Sequence, residues 1–285
     1  MEKTKLLINT VLVPAEAEKI EPEGVCIVID VLRASSTIVT LMSMGCQKLY
    51  TVETIEEAIS LAQTKDLMLL GERDGIPLKG VDYGNSPVAQ TKDLMLLGER
   101  DGIPLKGVDY GNSPAEISKA QLAKKEAVLT TTNGTKAIAR AAQKAAAVLV
   151  GCFLNASACC QKASELAKDY EAEINIICAG EKGKFALDDA FCAGYLIQNL
   201  LSLNSANETE LSDAALACHK LYASYSDILT AFSDSSSGKR LIQLDFIEDL
   251  SFCSRIDTTS AVPTLQQKSP CLFGNETKKG AEESG

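Results

Sequence analysis

The chain has 285 residues, 46% hydrophobic and 23% charged, with a formal net charge of −10 and a pI near 4.8. That is the composition of a globular protein able to form a sizeable core, and its length suits one large α/β domain or two small lobes. The acidic balance argues against binding a phosphate backbone, so nucleic acid is not an expected partner.

The first apolar run, Leu6 to Val13, is too short for a membrane span, and no small-residue cleavage site follows it. Neither an anchor nor a leader is expected, and the predicted location is the cytoplasm. Val25 to Val31 then reads as a strand, followed by a Ser/Thr-rich turn into a helical pattern over Ile38 to Met44. Lys48 to Val52 and Ile55 to Ala62 repeat the strand and helix beat.

A perfect tandem repeat interrupts it. Gln63 to Pro87, QTKDLMLLGERDGIPLKGVDYGNSP, recurs unchanged from Gln90 to Pro114, with only Val88 and Ala89 between the copies. Two identical copies are not a solenoid, which needs at least about three stacked units whose sequences drift. They read as a recent or engineered duplication. If the fold accommodates one copy, closing the other as a loop costs on the order of 3 kcal/mol. Within a copy, Lys65 to Leu70 reads as a strand, Gly71 to Asn85 as a glycine-rich loop, and Ser86-Pro87 as a helix N-cap with proline at the first helical position. In the second copy Ser113-Pro114 leads into a predicted helix over Ala115 to Lys125. Because the copies are identical, the native strand can come from one and the native turn from the other.

After the repeat the alternation resumes with Ala127 to Leu129, Lys136 to Ala145, Ala147 to Val150, Ser157 to Ala167, Ile174 to Cys178 and Asp189 to Leu201. Asn204 to Asp213 reads as a polar connection, and Leu241 to Phe252 as a final helical region and strand. The expected fold is a three-layer α/β/α arrangement with a mainly parallel or mixed sheet over residues 1–265, with lobes at 1–150 and 151–265 as a variant. Residues 266–285 are expected to be a disordered tail. The ten cysteines include three in apolar strand-like runs and show no C-x-x-C spacing, so they are read as buried thiols.

Three polar strand-to-helix junctions carry the chemistry. In the first, Asp30 ends a strand and is followed by Arg33, Ser35, Ser36 and Thr37. Such an aspartate can hold a divalent metal while the helix-start amides, hydroxyls and guanidinium receive an anion. The plainer account is a strand end and a serine helix cap. The second junction is Thr130-Thr131-Thr132-Asn133-Gly134-Thr135-Lys136, which a simple N-cap and turn would also explain. The third is Cys178-Ala179-Gly180-Glu181-Lys182-Gly183 followed by Asp188 and Asp189, carboxylates that also suit a first helical turn as dipole partners. No cysteine is followed six positions later by arginine, Leu32 stands where a dehalogenase-type phosphatase would place a second aspartate, and no P-loop or dinucleotide fingerprint is present. His219, the only histidine, falls in the helical stretch Ala214 to Tyr222. Metal-assisted attack by water remains, or a nucleophile these patterns do not reveal.

The stretches VIDVLRASSTIV (Val28 to Val39), LLGERDGIPLKGVDYGNSP, LTTTNGTKAI (Leu129 to Ile138), GCFLNASA (Gly151 to Ala158) and CAGEKGKFALDDAFCAG (Cys178 to Gly194) resemble the serial motifs of the 2-phosphosulfolactate phosphatases. The resemblance runs from about Gly24 to Pro263 and departs from the family only in the duplication. It implies Mg²⁺-dependent hydrolysis of 2-phospho-3-sulfolactate, or a similar small anionic phosphoester, on the way to coenzyme M. It implies catalytic roles for Asp30, Arg33, Glu99, Arg100, Asn133 and Asp188, with the twins Glu72 and Arg73 equally eligible. The metal would sit on Asp30, Glu99 and Asp188 or Asp189, and the substrate against Ser35, Ser36, Asn112, Ser113, Thr132, Gly134 and Thr135. Two other readings stay open: an anion-binding relic whose metal site the duplication breaks, and a phosphoryl-transfer enzyme acting on nucleotides. The spare strand also leaves a homodimer or segment exchange open.

Overall fold

The computed structural model describes residues 5–19, 23–65, 68–71, 96–97, 99–100, 103–104, 112–120, 126–204 and 208–275. Within these, the chain runs β1 (Leu6–Val11), β2 (Val25–Ile29), α1 (Ala34–Ser43), β3 (Lys48–Thr51), α2 (Ile55–Lys65), β4 (Met68–Gly71) and β5 (Leu96–Leu97). Then follow β6 (Glu99–Arg100), β7 (Ile103–Pro104), α3 (Pro114–Ile117), β8 (Glu126–Thr130), α4 (Gly134–Lys144), β9 (Ala147–Val150), α5 (Ala156–Tyr170) and β10 (Ile174–Cys178). The last elements are α6 (Leu187–Leu203), β11 (Thr209–Leu211), α7 (Asp213–Ala223), α8 (Ile228–Asp234), α9 (Ser236–Gln243), α10 (Ile247–Cys253), β12 (Pro263–Lys268) and β13 (Cys271–Asn275). The expected mixed α/β/α architecture is present.

An 11-stranded sheet has the order β11-β1-β10-β2-β9-β12-β13-β3-β8-β4-β5. The first five strands pair in parallel, as do the last four. Every residue of β2 and β10 is buried, which is why β2 reads as a continuous apolar run and β10 as one interrupted only by Asn175. The hairpin β12–β13 joins the two parallel groups through three antiparallel pairings. These pairings reverse strand direction between the groups. The carboxyl ends of β2, β10 and β8 nevertheless meet at one pocket, so the sheet coils at the hairpin. There β12 touches β9 through the single pair Thr264↔Leu149 and carries a register shift between Leu265 and Gln267; a bulge of this kind sharpens local twist.

That hairpin corrects the expected tail. Residues 266–275 are not loose; they complete the ladder between β9 and β3, with Phe273 fully buried. Polar composition misled because Gln266 to Lys268 are exposed, while the buried apolar residues Cys271 and Phe273 lie on the partner strand. Residues 276–285 lie outside the described part. Strands from both sides of residue 150 interleave in the sheet, so the variant with separate lobes does not match a break in the ladder. The Leu241 to Phe252 stretch holds two helices and no strand. The Asn204 to Asp213 connection contributes the edge strand β11.

The repeat is divided between its copies. The first supplies β4, which pairs with β8, and the second supplies β5, which pairs with β4 in parallel so that Leu69 faces Leu96 and Leu70 faces Leu97, each residue beside its own duplicate. The turn before α3 comes from the second copy. There Ser113 caps the helix by accepting from the Glu116 N–H, and Pro114 stands at the first helical position. The expected helix over Ala115 to Lys125 ends at Ile117, because Lys119 and Ala120 bond three residues back and tighten the backbone.

All ten cysteines are free and buried. Burial holds Cys152 and Cys46 at about 12, so neither is a poised nucleophile. Among the described residues no helix is long and apolar enough to cross a membrane.

Candidate active site

The pocket is lined by residues from each of the three junctions: Asp30, Leu32 and Arg33 after β2, Thr131 to Asn133 after β8, and Gly180 to Lys182 with Asp188 and Asp189 after β10. Asn112 enters from the second repeat copy, and Ser237, Arg240 and Leu241 from α9. Ligands in open α/β sheets bind beyond the carboxyl ends of strands, and the site follows that rule.

The Asp30 carboxylate accepts weakly from the Ala34 N–H at 3.4 Å, and its main-chain carbonyl accepts from the Ser35 N–H at 2.8 Å. Its neighbour is Gly134, where an added Cβ would lie 2.8 Å from Asp30 Oδ2 and 2.7 Å from the Ala34 methyl. Only a glycine lets the start of α4 approach the aspartate this closely. Gly134→Ala is therefore expected to displace Asp30 and lower turnover about 100-fold, as misplacement of a reacting group by an ångström does. Unchanged kcat in a folded Gly134→Ala protein would refute the contact's importance.

Asp188 and Asp189 begin α6, both 2% exposed. Asp189 accepts from the Val31 N–H through one oxygen and the Gly180 N–H through the other, each at 2.9 Å, and so ties the β2 turn to the β10 turn. Asp188 accepts from the Ser237 hydroxyl at 3.3 Å. Burial pushes Asp188 up to about 7, and the Asp30 charge adds to the rise. Asp189 is driven well above the carboxylate range by burial and then by the charges of Asp188 and Asp30. The crowding of three carboxyl groups therefore favours proton retention on Asp188 and Asp189.

Several expected roles shift. Arg33 is 4% exposed, with its guanidinium 2.6 Å from Asp249 and over the Phe246 ring, so it braces the fold as well as lining the pocket. Ser36 donates to the Val31 carbonyl, Ser113 to Asp249, and Thr135 to the Thr131 carbonyl. These hydroxyls shape the turns, and none of the three lines the pocket; nor does Ser35 or Gly134. Thr132, Asn133 and Asn112 do line it. Asn133 leaves its helix uncapped and accepts instead from the Lys182 N–H at 3.0 Å, fastening the second junction to the third. Glu99 and Arg100 form the strand β6, paired with β7 in a separate ladder. Their side chains, and all of Glu72 and Arg73, lie outside the described residues.

Sequence reasoning missed Ser237, Arg240 and Asp249. The signal was the run Ser235-Ser236-Ser237-Gly238-Lys239-Arg240, a polar helix start in which the Ser235 hydroxyl accepts from the Gly238 N–H.

Paired carboxylates facing cationic and amide groups at the ends of parallel strands define an α/β enzyme that handles a small anion. The comparisons make the assignment narrower: the chain belongs to the 2-phosphosulpholactate phosphatase family, a family of phosphoric monoester hydrolases, whose profile matches residues 11–95 and 89–268. The two matches overlap where the second repeat copy begins. Among curated proteins, the probable 2-phosphosulfolactate phosphatase of Deinococcus radiodurans is 34% identical over 242 residues, 85% of this chain and 87% of its own. That of Thermotoga petrophila is 35% identical over 240 residues, covering 84% and 88%. That of Pseudothermotoga lettingae is 31% identical over 262 residues, covering 91% and 96%.

Proposed function

We propose that the chain hydrolyses 2-phospho-3-sulfolactate to 3-sulfolactate and phosphate with Mg²⁺. The observation that carries this reading is a single pocket lined both by Asp30, Asp188 and Asp189, which suit a cation, and by Lys182 and Arg240, which suit an anion. The donor set fits magnesium, which commonly takes one or two carboxylates and completes its shell with water and substrate phosphate. Among the described residues no three His, Cys, Asp or Glu side chains gather into a metal cluster, so the ion would rest on two protein carboxylates. Asp30 and Asp188 would hold the ion, and Asp189 would brace the two turns that carry them. A bound magnesium ion supplies charge withdrawal from the phosphoryl oxygens. The Lys182 side chain, with Thr132 and Asn133 beside it in the pocket lining, would favour the same oxygens as charge develops on them. Water attacks phosphorus, the bond to the lactate oxygen breaks, and a proton passes to that oxygen.

The test is phosphate release from racemic 2-phosphosulfolactate, with and without Mg²⁺, by this chain and by one lacking Gln63 to Ala89. Both are expected to turn over, because the second strand copy adds beside the first and the turn of the second copy reaches Asp249 through Ser113. Turnover by the shortened chain alone would favour the relic reading, and release independent of Mg²⁺ would remove the metal. The strand beside β8 is the first copy's, and Glu72 is the residue that follows it. Glu72→Gln is therefore expected to lower kcat more than Glu99→Gln, and the reverse order would assign the site to the second copy.

A further inference from the structure

We infer that Arg240 is the specificity residue of the pocket, holding the acidic group of the substrate that is not transferred, and that Glu181 occupies this guanidinium until the substrate arrives. The inference rests on the proposed reaction and deepens it. Three cationic side chains line the pocket among the described residues: Arg33, Lys182 and Arg240. They are not equivalent. Arg33 is buried against Asp249 at 2.6 Å and held over Phe246, an arrangement that fixes the guanidinium within the fold. Lys182 sits on the turn whose backbone is fastened to Asn133, beside the start of α4.

Arg240 comes from a different direction. Ser237, Arg240 and Leu241 stand at helical spacing, so α9 turns one stripe toward the pocket. Ser237 anchors that stripe by donating to Asp188, and Arg240 follows one turn along the helix. One Arg240 partner is Glu181, at 3.7 Å, and both side chains are about one-third exposed, at 32% and 28%. A long, half-solvated ion pair of this kind is weak. A carboxylate, or two oxygens of a tetrahedral sulfonate, on the substrate can receive two parallel N–H bonds from the same fork, which is the stronger arrangement. Glu181 itself follows Gly180, whose positive φ of 65° and approach to the Lys184 carbonyl hold a tight turn closed by the Glu181 and Lys184 backbones. That turn keeps the competing carboxylate at the rim.

The assignment predicts that binding of 3-sulfolactate, which carries the acidic groups and no phosphate, depends on this pair. In calorimetry on the full chain, Arg240→Gln is expected to weaken 3-sulfolactate at least tenfold, Arg240→Lys to recover part of the loss, and Glu181→Gln to tighten it severalfold. The Glu181 variant reads the same contact with Arg240 intact, so it decides the matter should Arg240→Gln fail to fold. Equal affinity in wild type and Arg240→Gln, unaltered affinity in Glu181→Gln, or no binding by wild type would overturn the assignment. The catalytic reading fails separately, if a wild-type protein that binds 3-sulfolactate releases no phosphate from 2-phosphosulfolactate.

Discussion

Replacing Asp249 with alanine is expected to destabilise the protein by about 3–5 kcal/mol, the usual cost of removing one partner from a buried ion pair. Asp249 is 1% exposed on α10 and serves three groups at once: the Arg33 guanidinium at 2.6 Å, the Ser113 hydroxyl at 2.6 Å and the Ala115 N–H at 3.2 Å. It joins the turn after β2 to the turn of the second repeat copy, elements 80 residues apart in sequence as Arg33 and Ser113 are numbered. Without it a buried guanidinium loses its nearest counter-charge, and the Ser113 cap loses its acceptor. Urea unfolding should show a lower midpoint with an unchanged slope. Asp249→Asn, which keeps an acceptor for Ser113 and Ala115 but not the charge, should fall between alanine and wild type. Wild-type stability in Asp249→Ala would show that the pair contributes nothing net, and an altered slope would show a change in the unfolded or native ensemble instead.

The same residue marks the limit of what the sequence discloses. The strands β2 and β10 are legible because burial on both faces demands mostly apolar runs, and the three junctions are legible together because polar residues recur at three strand-to-helix turns, although each alone also suits a helix start. The split of the repeat was legible as an option only. Identical copies have identical local preferences, so the choice falls to pairing with β8 and to docking on Asp249, neither of which is local. Asp249 itself lies in Ile247–Cys253, where two adjacent acids, Glu248 and Asp249, look like a solvated helix start. Nothing in that run announces a partner 216 positions away. Arg240 escaped for the opposite reason: its polar run was visible, but its aim depends on how α9 packs. The β12–β13 hairpin was lost to composition, because a strand with one exposed face resembles a polar tail when its inward partners are few.

Raising the pH of the magnesium-free protein from about 5 to about 8 is expected to lower its stability, and magnesium to restore it mainly at the higher pH. Asp188 moves from 3.8 to about 7 on folding, chiefly through burial, and Asp189 moves in the same direction. Both are carboxyl groups with raised folded values. The folded protein therefore keeps protons that the unfolded chain has released, and stability falls as pH climbs from the ordinary carboxylate range toward about 7. For Asp188 alone, the full interval corresponds to on the order of 4 kcal/mol. A divalent cation shared by Asp30 and Asp188 replaces those protons with a charge that persists at high pH, so its stabilisation should be large near pH 8 and small near pH 5, where protons compete for the same oxygens. Thermal melts at both values, with Mg²⁺ and with chelator, measure the difference. An equal magnesium effect at the two pH values would mean that the ion binds elsewhere, and a stability that rises with pH in chelator would mean that the buried carboxylates are already offset by the protein itself.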